Sequence, residues 1–194
     1  GGVVLGVLPL ATAVIGAVFT RDRPAAAFWV WAVAGAAIVV AFALRQGSGH
    51  VEPGDVLLLG AVLSAATGYV ISARLTLRMP GWEVISWAVV LALPVTIPVT
   101  LLHAPAEPAS VPWEAWGAFL YLGLMSQYVG FFAWNAGLAL GGVARVSQVQ
   151  LLQTFVTLSL ASLLAGEPLE PLTWVAALGV VATVLLGRKA GAKR

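Results

Sequence analysis

The chain has 194 residues, of which 60% are hydrophobic and only 9% charged, and its mean hydropathy is +0.97. A soluble domain of this length covers its surface with far more charged and polar groups, so a soluble globular fold is excluded. The formal net charge of +2 comes without a basic patch interleaved with aromatics, which excludes nucleic acid as a partner, and the absence of cysteine excludes disulfides and thiol chemistry.

Seven windows contain no Asp, Glu, Lys or Arg: residues 1–19, 24–44, 56–73, 84–102, 115–144, 146–166 and 171–187. About 20 helical residues cross a hydrocarbon core, and roughly 17 suffice. Strands are excluded, because unpaired backbone groups cannot face lipid and these runs lack a strict period of two. The expected fold is all-α: a polytopic bundle of seven membrane segments. The first carries Pro9 in an apolar setting and ends at Arg21-Asp22-Arg23. Pro24 reads as a first-turn residue of the second segment, which carries Trp29, Trp31 and Gly35. A polar loop, 45–55, separates it from the third segment. That segment contains Thr67, Gly68 and Tyr69 and ends near Arg74, whose stem can reach the headgroups.

Met79-Pro80-Gly81 predicts a tight turn, and Pro94 and Pro98 lie inside the fourth segment. Trp113 and Trp116 stand where an aromatic belt would lie, at the start of a fifth helix read over 114–140. A short Gly141-Gly142 connector leads to the sixth segment, closed by Gly166-Glu167-Pro168. The seventh ends in a basic tail. Numbering connectors alternately puts Arg21, Arg23, Arg74, Arg78, Arg145, Arg188, Lys189, Lys193 and Arg194 on one side and Arg45 alone on the other. By the positive-inside rule the C-terminus is cytoplasmic and residue 1 lies outside. The chain starts with Gly and no basic region precedes its first apolar run, so no signal peptide is expected and the N-terminus reads as cut.

A weak internal repeat lays residues 8–45 on 152–189 with a shift of 144, pairing Pro24 with Pro168, Gly35 with Gly179, Val40 with Val184 and Arg45 with Lys189. The paired segments run in opposite directions, as in inverted-repeat carriers.

The stretch from Asn135 to Gly187, with Asn-Ala-Gly-Leu-Ala-Leu, Gly166-Glu167 and Gly179, resembles the second EamA domain of the drug/metabolite transporter superfamily. Residues 8–42 look like the final two helices of the first domain. The resemblance implies two five-helix inverted repeats. Seven segments that start outside fit helices four to ten of that plan, so the first three helices would be missing from the chain. The domain boundaries expected are 1–45 for the end of the first repeat, 46–55 for a linker, 56–187 for the second repeat and 188–194 for a cytoplasmic tail. Two departures stand out. The Pro usual in the ninth helix is replaced by Gln153, while Pro9 keeps its place in the first repeat. The first repeat also has Arg21-Asp22 where a Gly-Glu closure is usual.

A carrier needs a polar site near the midplane. Polar side chains in spans face the bundle interior more often than lipid. The candidates for lining a substrate path are Thr67, Tyr69, Gln127, Trp134, Asn135, Gln150, Gln153 and Thr157. Gln127 and Asn135 are spaced as about two turns of one helix face, and Gln150, Gln153, Thr154 and Thr157 follow three-four spacing. The same residues can equally serve as interhelical glue. Glu167 is a candidate gate or coupling group, or a solvated loop acid. Enzyme motifs are absent: there is no Gly-x-Ser-x-Gly, His-Glu-x-x-His or P-loop, and no metal cluster or cofactor signature. The expected function is secondary transport of small metabolites, amino acids or drug-like solutes by alternating access in the inner membrane. A membrane scaffold or sensor is the alternative. The expected partners are a small-molecule substrate, the lipid bilayer and the missing N-terminal helices; a homodimer is left open.

Overall fold

With no water in the hydrocarbon core, each spanning segment has to satisfy its own backbone donors and acceptors, and the α-helix does this within one segment. The computed structural model describes residues 2–20, 24–46, 53–105, 107–165 and 170–191. Their helices are α1 (Gly2–Phe19), α2 (Ala26–Gln46), α3 (Pro53–Thr76), α4 (Gly81–Leu102), α5 (Trp113–Tyr121), α6 (Gly130–Gly141), α7 (Val143–Ser147), α8 (Leu151–Ala165) and α9 (Pro171–Gly191). A π-helical stretch, Leu122–Val129, joins α5 to α6, and a 3₁₀ turn, Gln148–Gln150, joins α7 to α8. Among the described residues, five helical stretches are long and apolar enough to cross a membrane: Ala26–Arg45, Leu57–Thr76, Gly81–Leu102, Val143–Leu164 and Pro171–Lys189. Val7–Phe19 is a shorter apolar helix, and the fifth expected segment is the run through α5, the π stretch and α6. The protein is therefore an all-α, multi-pass membrane bundle.

The second helix starts two residues later than the sequence suggests. Pro24 stays outside it, α2 begins at Ala26, and the Phe28 N–H bonds the Ala25 carbonyl at 2.9 Å. The turn at Met79-Pro80-Gly81 is as expected: α3 ends at Thr76 and α4 starts at Gly81.

The chain divides into two compact units. The first holds the residues up to Val70 together with those from Gly141 onward. Here α2 and α9 pack antiparallel. Trp31, Gly35 and Ile38 of α2 approach Gly187, Thr183 and Gly179 of α9 in that order. Apolar side chains gain nothing by leaving lipid for one another, so such contacts depend on close packing by small residues. Gly35 provides it: a Cβ there would stand 2.8 Å from Thr183 Oγ1 and 2.9 Å from Leu151 Cδ1. Around this contact lies a core of Val39, Phe42, Leu151, Phe155, Val180 and Val184, with the Phe42 and Phe155 rings 5.7 Å apart. A second cluster joins Ala13 of α1, Phe28 and Ala32 of α2, and Ala144 of α7. The chain enters α7 through Gly142, whose φ of 82° and ψ of 130° lie where an L side chain is strained.

The second unit, Ile71–Leu140, contains α4 and the run from α5 to α6. Pro94 and Pro98 lie inside α4, which continues unbroken through both. Of its residues only Val84 is buried, so its apolar surface is open on nearly all sides.

Candidate functional site

In the first unit, the polar stripe expected along the sixth segment begins at the 3₁₀ turn. Gln150 closes that turn and donates from Nε2 to the Tyr69 hydroxyl of α3 at 3.4 Å. Its Oε1 is buried without a hydrogen-bond partner, and so is Thr154 Oγ1, one helical turn further on. A buried polar atom left unmatched costs about 1–3 kcal/mol. Both lie near the middle of the Val143–Leu164 span, where there is no headgroup to relieve that cost. What the pair can do chemically follows from its atoms. An amide oxygen accepts, and a hydroxyl accepts or donates, so a solute bearing N–H or O–H groups matches both.

The residues just before this turn have another role. Gln148 Nε2 donates to the carbonyl of Pro9 at 3.2 Å, and the Ser147 hydroxyl shares its one proton between that carbonyl at 3.2 Å and the Ala144 carbonyl at 3.1 Å; Pro9, Ser147 and Gln148 are all buried. A backbone carbonyl has two lone pairs, so the Pro9 oxygen, inside α1, can accept from a neighbouring element as well as within its own helix. Ser147 and Gln148 therefore fasten α7 and the turn to α1.

In the second unit the polar residues gather at the π-helical stretch, whose i→i+5 bonding recurs at functional sites. The Tyr128 hydroxyl meets Ser86 Oγ of α4 at 2.6 Å, and the Tyr128 ring packs edge-on against Phe132 at 5.1 Å. Asn135 is fully buried; its Nδ2 donates to the Gly81 carbonyl at 3.3 Å, while its Oδ1 has no partner.

Of the expected lining residues, the structure brings Tyr69 and Gln150 together and buries Asn135 separately in the second unit. Trp134 is half-buried. Thr67 is exposed and its hydroxyl returns to the Leu63 carbonyl at 2.7 Å, the local bond that apolar surroundings favour. Gln127, Gln153 and Thr157 are exposed. The shared face expected for Gln127 and Asn135 is not found. Gln127, in the π stretch, is exposed, while Asn135, in α6, is buried. Glu167 lies outside the described residues. Sequence reasoning passed over Ser86, one of three hydroxyl residues in the 84–102 window with Thr96 and Thr100, and no signal in the sequence sets it apart. Among the described residues, no three His, Asp or Glu side chains gather as metal ligands.

The sequence matches the EamA-like transporter family over residues 52–187. It is similar to the uncharacterized transporter YdeK of Bacillus subtilis strain 168, with 41% identity over 165 residues, covering 85% of this chain and 58% of that protein. It is also similar to a probable terminal-alkyne amino-acid exporter of Streptantibioticus cattleyicolor, with 26% identity over 197 residues, covering 98% of this chain and 64% of that protein. The chain thus spans about three fifths of the length of these curated relatives, which are named as transporters and not as enzymes. No solved structure matches it. A family match over more than half the chain, a relative at 41% identity and a bundle of apolar helices agree: the chain belongs to the EamA-like transporter family.

Proposed function

We propose that the chain is the C-terminal part, helices four to ten, of a ten-helix inner-membrane carrier. It moves small metabolites, amino acids or drug-like solutes by alternating access between two inverted repeats. The observation that carries this reading is the pair of unmatched buried atoms, Gln150 Oε1 and Thr154 Oγ1, beside the Tyr69–Gln150 bond at mid-span. A solute with N–H or O–H donors satisfies them in passing, and the same atoms release it because each bond is weak.

Several findings support the wider plan. Gly35 and Gly179, equivalent under the shift of 144, each lie against the partner helix of the antiparallel α2–α9 pair, at Thr183 and Ile38 respectively. The family match over 52–187 supports a second repeat at 56–187 with a linker before it. The open apolar surface of α4, together with the greater length of the relatives, fits further helices packed before residue 1. The Lys and Arg distribution supports a cytoplasmic C-terminus.

The test uses the intact protein, N-terminal helices included, in liposomes loaded in turn with labelled L-amino acids and with drug-like amines. Counterflow above protein-free liposomes for at least one solute is expected. Counterflow equal to protein-free liposomes across both panels contradicts the reading and favours a scaffold or sensor.

A further inference from the structure

We propose that Arg145 and Arg188 form a site for a phosphate group, supplied by an anionic phospholipid, at one end of the first unit. The two arginines were read from the sequence only as markers of topology. In the structure they line a single cleft with Phe28, Trp31, Gln148 and Thr183. They reach it from two separate elements, α7 and the last turn of α9, 43 positions apart in sequence.

The chemistry of the cleft is one-sided. No acidic side chain lines it among the described residues. Its inner polar groups already have acceptors: Gln148 Nε2 donates to the Pro9 carbonyl, and Thr183 Oγ1 donates to the Val180 carbonyl at 2.8 Å. The charged donors in the cleft are the two guanidinium groups, whose planar forks suit phosphate oxygens. Two like charges in one cleft repel each other, and an anion between them removes that repulsion.

Size and position favour a headgroup over a free metabolite. The enclosed part of the cleft is about 10 Å³, room for roughly one water-sized atom. A phosphate therefore inserts one oxygen, and the rest of the molecule stays at the mouth. A soluble phosphate compound gains little more than that contact. A lipid adds its acyl chains, which can lie on exposed apolar side chains of the same helices, such as Val30 and Leu185, the sequence neighbours of the lining residues Trp31 and Val184. Arg188 is 17 residues into α9, about 26 Å along its axis, which is headgroup depth for a helix that crosses the membrane. Trp31 is a residue type enriched at that depth. Basic pockets between helices at the cytoplasmic face are a known mode of headgroup binding, and the Lys and Arg count assigns this end to the cytoplasm.

The experiment measures lipid retention by native mass spectrometry on the intact protein in detergent, titrated with phosphatidylglycerol or phosphatidylcholine. Inorganic phosphate and glycerol 1-phosphate are added in parallel as soluble competitors. The parent is expected to retain phosphatidylglycerol in preference to phosphatidylcholine. Each of Arg145→Gln and Arg188→Gln is expected to weaken that binding by about fivefold, and the pair by roughly 30-fold. Arg145→Lys with Arg188→Lys is expected to keep part of the preference. Arg45→Gln, at the other end of α2, is expected to change nothing. Should the double variant fail to purify, the single variants carry the same comparison. Equal retention of the two lipids by the parent overturns the proposal, as does unchanged retention in the glutamine variants. Displacement of the lipid by millimolar inorganic phosphate or glycerol 1-phosphate overturns the lipid as the source. None of these readouts depends on transport, so they stand or fall apart from the carrier reading.

Discussion

The side-chain amide of Gln150 gives its N–H to the Tyr69 hydroxyl at 3.4 Å and leaves its oxygen buried with nothing to accept from. One half of the group is anchored and the other is held ready. Thr154 Oγ1, one turn away, is in the same condition. A bundle selected only for stability would fill these positions with apolar side chains of similar shape, because replacing an unmatched polar group that way is nearly neutral or stabilising.

The first prediction concerns Thr154→Val, which keeps the shape and removes the unmatched hydroxyl. The melting temperature of the intact protein should stay level or rise, corresponding to at most about 1–3 kcal/mol. Solute counterflow should fall at the same time. A clear loss of stability would mean that the hydroxyl has a structural partner.

Close packing of α2 on α9 predicts a second result. Gly35→Val introduces atoms where Thr183 Oγ1 and Leu151 Cδ1 already stand, at 2.8 and 2.9 Å from the first added carbon. Overpacking of this kind costs typically about 1–3 kcal/mol. Gly35→Ala should cost less, and Thr183→Ala in the same chain should recover part of that loss. Thermal unfolding in detergent gives the comparison, and additive losses in the double variant would contradict the contact.

A third prediction rests on Gly142. At φ 82° and ψ 130° a Cβ is strained, so Gly142→Ala should destabilise the protein by about 1–3 kcal/mol. Gly68, which is exposed with open space around its Cα, is the control. Gly68→Ala should be neutral or slightly stabilising, because helix interiors favour alanine by roughly 1 kcal/mol. Equal melting temperatures for the two variants would contradict the strained turn.

The tie between α1 and α7 gives a fourth. Ser147→Ala and Gln148→Leu each remove one donor from the Pro9 carbonyl. Interhelical hydrogen bonds in membranes average about 0.6 kcal/mol. Each single variant should lose at most about that much, and the double variant more than either alone. Thermal unfolding of the three variants measures this, and unchanged melting in the double variant would count against the tie.

Much of this architecture was legible in the sequence. Charge-free windows located the helices because lipid tolerates few charges, and Met79-Pro80-Gly81 and Gly141-Gly142 marked real breaks. The site was less legible. Three-four spacing put Gln150, Gln153, Thr154 and Thr157 on one stripe, yet Gln150 and Thr154 turn inward while Gln153 and Thr157 are exposed. Apolar residues surround all four, since lipid-facing and packed faces of a membrane helix are equally greasy and the pattern carries little directional signal. The π stretch at Leu122–Val129 and the 3₁₀ turn at Gln148–Gln150 also change the rotation per residue. Only the hydrogen-bond ladder reveals them.

The most direct measurement is counterflow by the intact protein with Gln150→Leu, run beside the melting curve of the same preparation. The account predicts a melting temperature close to that of the parent, because loss of the Tyr69 bond, about 0.6 kcal/mol, is offset by removal of the unmatched oxygen, and a roughly tenfold fall in counterflow, as expected when one polar contact to a bound solute is removed. Counterflow at the parental rate in a stably folded Gln150→Leu protein would contradict it and reduce the Tyr69–Gln150 pair to interhelical glue.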